Sequence, residues 1–406
     1  MVDVLSLVDR HDRWRADSCV NLQPSENAIS PQVRRALGSD LATRYTLPWS
    51  GEIHGAKVTN AYGGTKYLDE IEGIGEALAR TVFEAKHASL KPLSGHLAGM
   101  LMLLTAAKPK GRVLVVDAKH GGYDGYMPDY IPDVLGLRLK VDFLPFREDA
   151  WTLDTAAAAR AIRRQKPALV ILGASFFLFP YEMAPLREAA DDAGTLIGYD
   201  GSHVLGLVAG GVFQRPLAEG ADLLVGSTHK SLFGPQGGMF LCNRDDLWER
   251  AQTNFVWRLF DNVHWNRVAG VAQALEEHQE FGKAYATQVV RNAKALAAAL
   301  DERGVPVKFR EHGFTASHQI HLDEEGMKRD LRLTPQEFSA AMEGNNVIVD
   351  AVARLGTNEV TRLGATPKEM GEIAELMEMI ARGKAVKEEV LALRSRLKLS
   401  YVFPGA

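Results

Sequence analysis

Two short apolar runs, each ending in a chemically active residue, constrain this chain more than any other feature. Gly194-Thr-Leu-Ile-Gly-Tyr199 closes on Asp200, with His203 just beyond it. Ala221-Asp-Leu-Leu-Val-Gly226 closes on Ser227-Thr-His-Lys230. Runs this short, apolar and broken by glycine suit strands covered on both faces of a parallel sheet. Helical stretches at 153–164 and 185–193 separate strands expected at 111–117, 167–175 and 194–200. Such βα alternation predicts a doubly wound α/β fold. Right-handed crossovers bring the strand ends to one rim, where ligands bind. A carboxylate and a lysine then border one site.

Pyridoxal 5'-phosphate requires such a pair. The amine of Lys230 would form a Schiff base with the aldehyde, and Asp200 would partner the pyridine nitrogen and keep it protonated. Taken singly, a strand-end Asp and Lys read as a turn cap and a surface lysine. The Thr-His before Lys230 and the Gly-Pro-Gln-Gly-Gly that follows favour the chemical reading. Composition removes several other classes. A net charge of −4 offers nothing to nucleic acid or an anionic membrane. No apolar run approaches the ~20 residues of a membrane span, and the first residues lack a secretory pattern. Cys19 and Cys242 make no disulfide framework, which points to the cytoplasm. The histidines have no CxxC or HExxH company, so no metal is expected.

Asp200-Gly-Ser-His203-Val-Leu-Gly-Leu-Val-Ala-Gly-Gly and Ser227-Thr-His-Lys230-Ser-Leu-Phe-Gly-Pro-Gln-Gly-Gly resemble the serine hydroxymethyltransferase family. So do Asn21-Leu-Gln-Pro-Ser25-Glu-Asn27, Tyr62-Gly-Gly-Thr-Lys-Tyr-Leu-Asp69 and Leu93-Ser-Gly-His-Leu-Ala98. The resemblance implies a fold type I pyridoxal-phosphate transferase of the aspartate aminotransferase type. Its large domain would hold the doubly wound sheet, with a smaller α+β domain at the C-terminus. We expect an N-terminal arm at 1–20, a cofactor domain at 21–275, a linking helix at 276–303 and a small domain at 304–406. The resemblance further implies a homodimer with shared active sites.

By the same resemblance, Ser94, Gly95 and His96 border the cofactor phosphate, at the start of a helix whose free amides suit an anion. Tyr123 would stack on the ring and Ser175 would reach a ring substituent. Asp200, His203, Thr228, His229 and Lys230 complete the cofactor set. Ser25 and Arg362 would grip the substrate carboxylate, arginine offering two parallel donors. Tyr45 and Tyr62 are candidates for proton handling, reaching the site from a partner chain.

The chain departs from the family at informative places. Leu47 stands where relatives place a glutamate tied to folate-dependent transfer. The loop-like stretch 44–60 offers Glu52 and His54 as substitute acid-base groups. Val352 falls near the position of a pteridine-contacting asparagine. His96 replaces a serine and Tyr123 a histidine. No glycine lies between Gly238 and Gly270, so the family's phosphate-holding Gly-Gly turn must give way to something else, such as Asn262 or Arg258. The expected function is Cα–Cβ cleavage or aldehyde transfer on β-hydroxy-α-amino acids, giving glycine without conventional tetrahydrofolate chemistry. The alternatives are a conventional serine hydroxymethyltransferase, a pyridoxal-phosphate aminotransferase, racemase or decarboxylase, and a non-catalytic homologue.

Overall fold

The computed structural model describes residues 3–46, 51–58 and 60–404, with side chains for all of these except 51–53, 56–58 and 256–257. Leu47 and the side chain of Glu52 therefore lie outside the described residues. The chain divides into two compact units: residues 29–283 with 403–406, and residues 1–28 with 284–402.

The larger unit is built on seven strands: β1 His87–Ser89, β2 Arg112–Val115, β3 Lys140–Phe143, β4 Leu169–Leu172, β5 Leu196–Asp200, β6 Leu223–Ser227 and β7 Gly238–Cys242. Their spatial order is β1-β7-β6-β5-β4-β2-β3. Neighbours from β6 to β3 are parallel, and β7 runs antiparallel to both β6 and β1. Every residue of β4, β6 and β7 is buried, as expected of strands covered on both faces. The edge strand β3 is no more than half-buried. The helix Gly95–Ala106 is apolar all round and largely buried. Its Met102 seats against Gly198 of β5, where a Cβ would meet the sulfur at 2.4 Å.

Local signals set the helix ends. Ser30 Oγ accepts from Val33 N ahead of Pro31, starting Pro31–Leu37. Asp154 accepts from Ala157 N and starts Thr155–Gln165. Gly194, at φ 65°, ends Met183–Ala193. Among the described residues no helix is long and apolar enough to cross a membrane.

In the smaller unit, Val20–Asn21 pairs in parallel with Val347–Ile348, and Gln319–His321 pairs antiparallel with Arg354–Gly356. Its core joins Leu22, Leu296, Ile320, Phe338, Leu355 and Ile373. The helix Trp265–Glu302 begins in one unit and ends in the other.

Four local expectations need correction. The stretch 44–60 is not all loop: Gly51–Ile53 and Ala56–Val58 form a hairpin. His54 and Gly55 turn it with φ of 48° and 80°, both positive as the tightest hairpin turns demand. The stretch 305–309, which reads from the sequence as a strand, is not one. Pro306 brings no N–H, Phe309 turns left-handed at φ 64°, and a single bridge joins Val307 to Leu322. The tail 367–397, which reads from the sequence as helical throughout, splits into Pro367–Ala381 and Lys387–Arg396, with Gly383 at φ 83° in the break. Finally, residues 21–28 belong with the C-terminal unit, because Val20–Asn21 is a strand of that unit.

One glycine ties the sheet's rim together. A Cβ on Gly206 would stand 2.0 Å from Ser231 O and 2.8 Å from Leu232 N, the backbone just after Lys230. Gly206 N also donates to Ser231 Oγ at 2.9 Å. Gly206→Ala should cost about 2–3 kcal/mol through overpacking against backbone that cannot swing away. A lowered urea midpoint checks this; an unchanged midpoint would contradict it.

Candidate active site

Asp200 ends β5 and is pinned from two sides. Its Oδ2 accepts from Tyr126 Oη at 2.7 Å, and its Oδ1 accepts from Ser202 N at 3.0 Å. Tyr126 is fully buried; burial first, and the Asp200 charge second, push its phenol well above the usual range. It therefore remains a donor to Asp200. Gly173, at φ 138°, allows the chain after β4 to pass this point: a Cβ there would stand 2.2 Å from Asp200 O.

Asp200 opens onto a cleft of about 380 Å³ with Lys230 also on its wall. Lys230 Nζ lies 3.2 Å from His203 Nε2, and His203 is buried. Ser231 Oγ donates to the His203 carbonyl at 2.6 Å, so the loops that follow β5 and β6 are fastened together. Thr228 does not line the cleft. Its buried hydroxyl donates to Pro235 O at 2.6 Å and shapes the turn that carries Lys230. His229 also lies off the cleft wall, its Nδ1 buried without a hydrogen-bond partner among the described residues. Burial, aided by the Lys230 charge, lowers its pKa to about 4.

The start of the helix Gly95–Ala106 forms another part of the wall. Ser94 caps it, its Oγ accepting from Leu97 N at 3.1 Å. Amides in a helix's first turn have no acceptor within the helix and favour an anion. Gly95 is required here: a Cβ would meet Ser227 Oγ at 2.2 Å and Ser202 Oγ at 3.0 Å. His96 and Tyr123 also line the cleft and join through His96 Nδ1 and Tyr123 Oη at 2.7 Å. Burial, then the Asp200 charge, raises the Tyr123 phenol, so it stays protonated. Ser175 lines the cleft as well, its amide donating to Gly121 O at 2.7 Å.

Sequence reasoning thus brought seven residues to one cleft: Gly95, His96, Tyr123, Ser175, Asp200, His203 and Lys230. Ser202 and Ser227, which also line it, stood inside the quoted motifs without being singled out. Tyr126 was missed altogether, and a lone aromatic 74 residues before Asp200 gives no signal of that contact. Tyr45 and Tyr62 do not line this cleft. Their rings meet edge to face at 4.8 Å, and Tyr45 Oη donates to Asp261 O at 2.9 Å. Burial, and then the Asp261 side chain, raise the Tyr45 phenol to about 12. The His54 side chain is exposed at the hairpin turn. Arg258 Nη1 donates to Asn254 Oδ1 at 2.9 Å. Ser25 and Arg362 belong to the smaller unit, where Arg362 is fully buried and its Nη1 donates to Tyr401 O.

The donor set fits pyridoxal 5'-phosphate. Lys230 offers an amine, Asp200 a fixed carboxylate, and Gly95 a pocket beside a helix N-terminus where two serine hydroxyls converge. The serine hydroxymethyltransferase family model matches residues 2–377. The serine hydroxymethyltransferase of Methanothermobacter marburgensis is 37% identical over 417 residues, covering 98% of this chain and 95% of the relative. That of Methanocaldococcus jannaschii is 38% identical over 398 residues, covering 94% and 90%. Among solved structures, L-threonine transaldolase from Pseudomonas fluorescens, in its internal aldimine state, is similar with a TM-score of 0.86. It is 25% identical, and the match covers 99% of this chain and 93% of that one. Fold and site define a fold type I pyridoxal-phosphate enzyme. Within that class, the chain belongs to the serine hydroxymethyltransferase family.

The His229 environment has a consequence for stability. Its pKa is about 4 in the fold against 6.5 when exposed. Between these values the unfolded chain binds a proton that the fold refuses, so stability falls as pH drops from 6.5 toward 4. The loss from this residue reaches at most ~3 kcal/mol. In urea unfolding at stepped pH, His229→Asn should flatten that slope by about one proton. An unaltered slope would contradict the assignment.

Proposed function

We propose that this enzyme cleaves or exchanges the Cα–Cβ bond of serine- or threonine-type β-hydroxy-α-amino acids, yielding glycine, without conventional tetrahydrofolate transfer. The observation that carries the reading is the meeting of Lys230 and the doubly pinned Asp200 at one cleft, in a chain with Leu47 and Val352 at its folate-linked positions.

Pyridoxal phosphate, when bound, supplies the electron sink for the α-carbon bond that breaks. Lys230 would present the amine that holds it. Asp200, oriented by Tyr126 and the Ser202 amide, would partner its pyridine nitrogen. Ser94, Gly95, Ser202 and Ser227 would receive its phosphate at the helix N-terminus. Tyr123, steadied by His96, and Ser175 would hold its ring. His203 Nε2, 3.2 Å from Lys230 Nζ, would hold the amine toward the cleft. Arg362 and Ser25 take the substrate carboxylate, which selects the bond aligned for cleavage. Glu52 or His54 serves as the base that removes the β-hydroxyl proton as the aldehyde departs. Tyr45 and Tyr62 act in the cleft of a second subunit, in a cytoplasmic homodimer.

Conventional serine hydroxymethyltransferase activity is the second reading, favoured by relatives of that name along almost the whole chain. Glycine formation from L-serine and L-allo-threonine, with and without tetrahydrofolate, separates the two. Our reading expects aldehyde and glycine from a β-hydroxy amino acid in folate-free buffer, and stimulation of serine cleavage below about tenfold, or ~1.4 kcal/mol of barrier. Stimulation far above that, with no folate-free cleavage, would favour the second reading.

A further inference from the structure

We infer that the C-terminal segment 398–401 is a positioning strap for Arg362, setting the guanidinium for the carboxylate of an α-amino acid substrate. The inference rests on the proposed role of Arg362 as that carboxylate's partner, and concerns what holds it.

The segment lies directly along the Arg362 backbone. Ser400 N donates to Arg362 O at 2.8 Å, and Arg362 Nη1 donates to Tyr401 O at 2.5 Å. Gly364 makes the approach possible: a Cβ there would stand 2.8 Å from Ser400 Oγ and 3.1 Å from Lys398 O. Leu397 is buried and Leu399 packs on the core, which fixes the segment's path.

Tyr401 then adopts φ 61°, a left-handed conformation costly for a bulky residue. Its ring packs edge-on to the fully buried Tyr285 at 5.5 Å. Tyr285 Oη accepts from Asn27 Nδ2 at 2.8 Å and donates to Asn358 O at 3.2 Å. One buried tyrosine therefore joins the Ser25-Glu-Asn27 segment, the helix that carries Arg362, and the strap.

The chemistry of the contact suits a positioning role. The guanidinium is a rigid planar fork, so fixing one terminal nitrogen fixes the plane that meets a carboxylate. A backbone carbonyl does this without a formal charge. A carboxylate in its place would offset the positive charge that the substrate needs.

The test uses the full-length enzyme loaded with pyridoxal phosphate and titrated with glycine by absorbance. Tyr401→Pro cannot adopt φ 61° and must swing the carbonyl away. Tyr401→Gly accepts that φ and keeps the carbonyl. A hydrogen bond to a charged group supports a loss of about tenfold or more in glycine affinity for Tyr401→Pro, with cofactor content retained. Tyr401→Gly should lose at least about fivefold less, and Tyr401→Pro added to Arg362→Ala should change affinity less than about twofold. Parental affinity in Tyr401→Pro, or an equal loss in the Arg362→Ala background, overturns the strap. Arg362→Ala with unchanged glycine affinity fails one step earlier, removing the carboxylate role itself and the strap with it.

Discussion

The register of β5 on β6 is the constraint from which the site follows. Asp200 pairs with Val225, so the two strands deliver a carboxylate and the Ser227–Lys230 turn to one rim of a parallel sheet. The pairing alone would leave a buried carboxylate free to rotate. Tyr126 and the Ser202 amide remove that freedom, because each donates to a different carboxylate oxygen. Burial keeps the phenol protonated, so it stays a donor to the aspartate. A fixed carboxylate on the cleft wall has use for a cationic partner, and a protonated pyridine nitrogen would provide one.

Glycines set how closely the parts approach. Gly173, Gly95 and Gly206 each stand where a Cβ would strike backbone or a cleft serine within 2.2 Å. They serve three separate junctions: the chain after β4 against Asp200, the phosphate-facing helix against Ser202 and Ser227, and the Val204–Ala209 stretch against the turn after Lys230. Two of the residues that differ from the family pattern meet. His96 and Tyr123 touch each other at 2.7 Å, so these two replacements form one hydrogen-bonded unit.

Much of this was legible in the sequence because its signals were local. Apolar runs ending in Asp200 and Ser227 announced β5 and β6. Pro31 marked a helix start, and Leu93-Ser-Gly-His96 marked the helix that faces the cleft. What escaped was non-local. Tyr126 reads as an ordinary core aromatic until the fold carries it to Asp200. Nothing near Val20 reveals that its strand partner is Val347, which moves residues 1–28 into the C-terminal unit. The 51–58 hairpin depends on left-handed φ at His54, a residue less associated with that conformation than asparagine or glycine.

Chain chemistry offers a rival for the lysine at the centre of this account. Lys91 is largely buried, is ion-paired with Glu72, and has its pKa lowered to about 8 by burial, against the opposing charge of Asp69. On pKa alone it is an attractive amine, yet it does not line the cleft with Asp200. Borohydride reduction of the enzyme with pyridoxal phosphate, followed by peptide mapping, decides between geometry and basicity. The account predicts a single phosphopyridoxyl group on the peptide containing Lys230; a group on Lys91, or on no lysine, would contradict it.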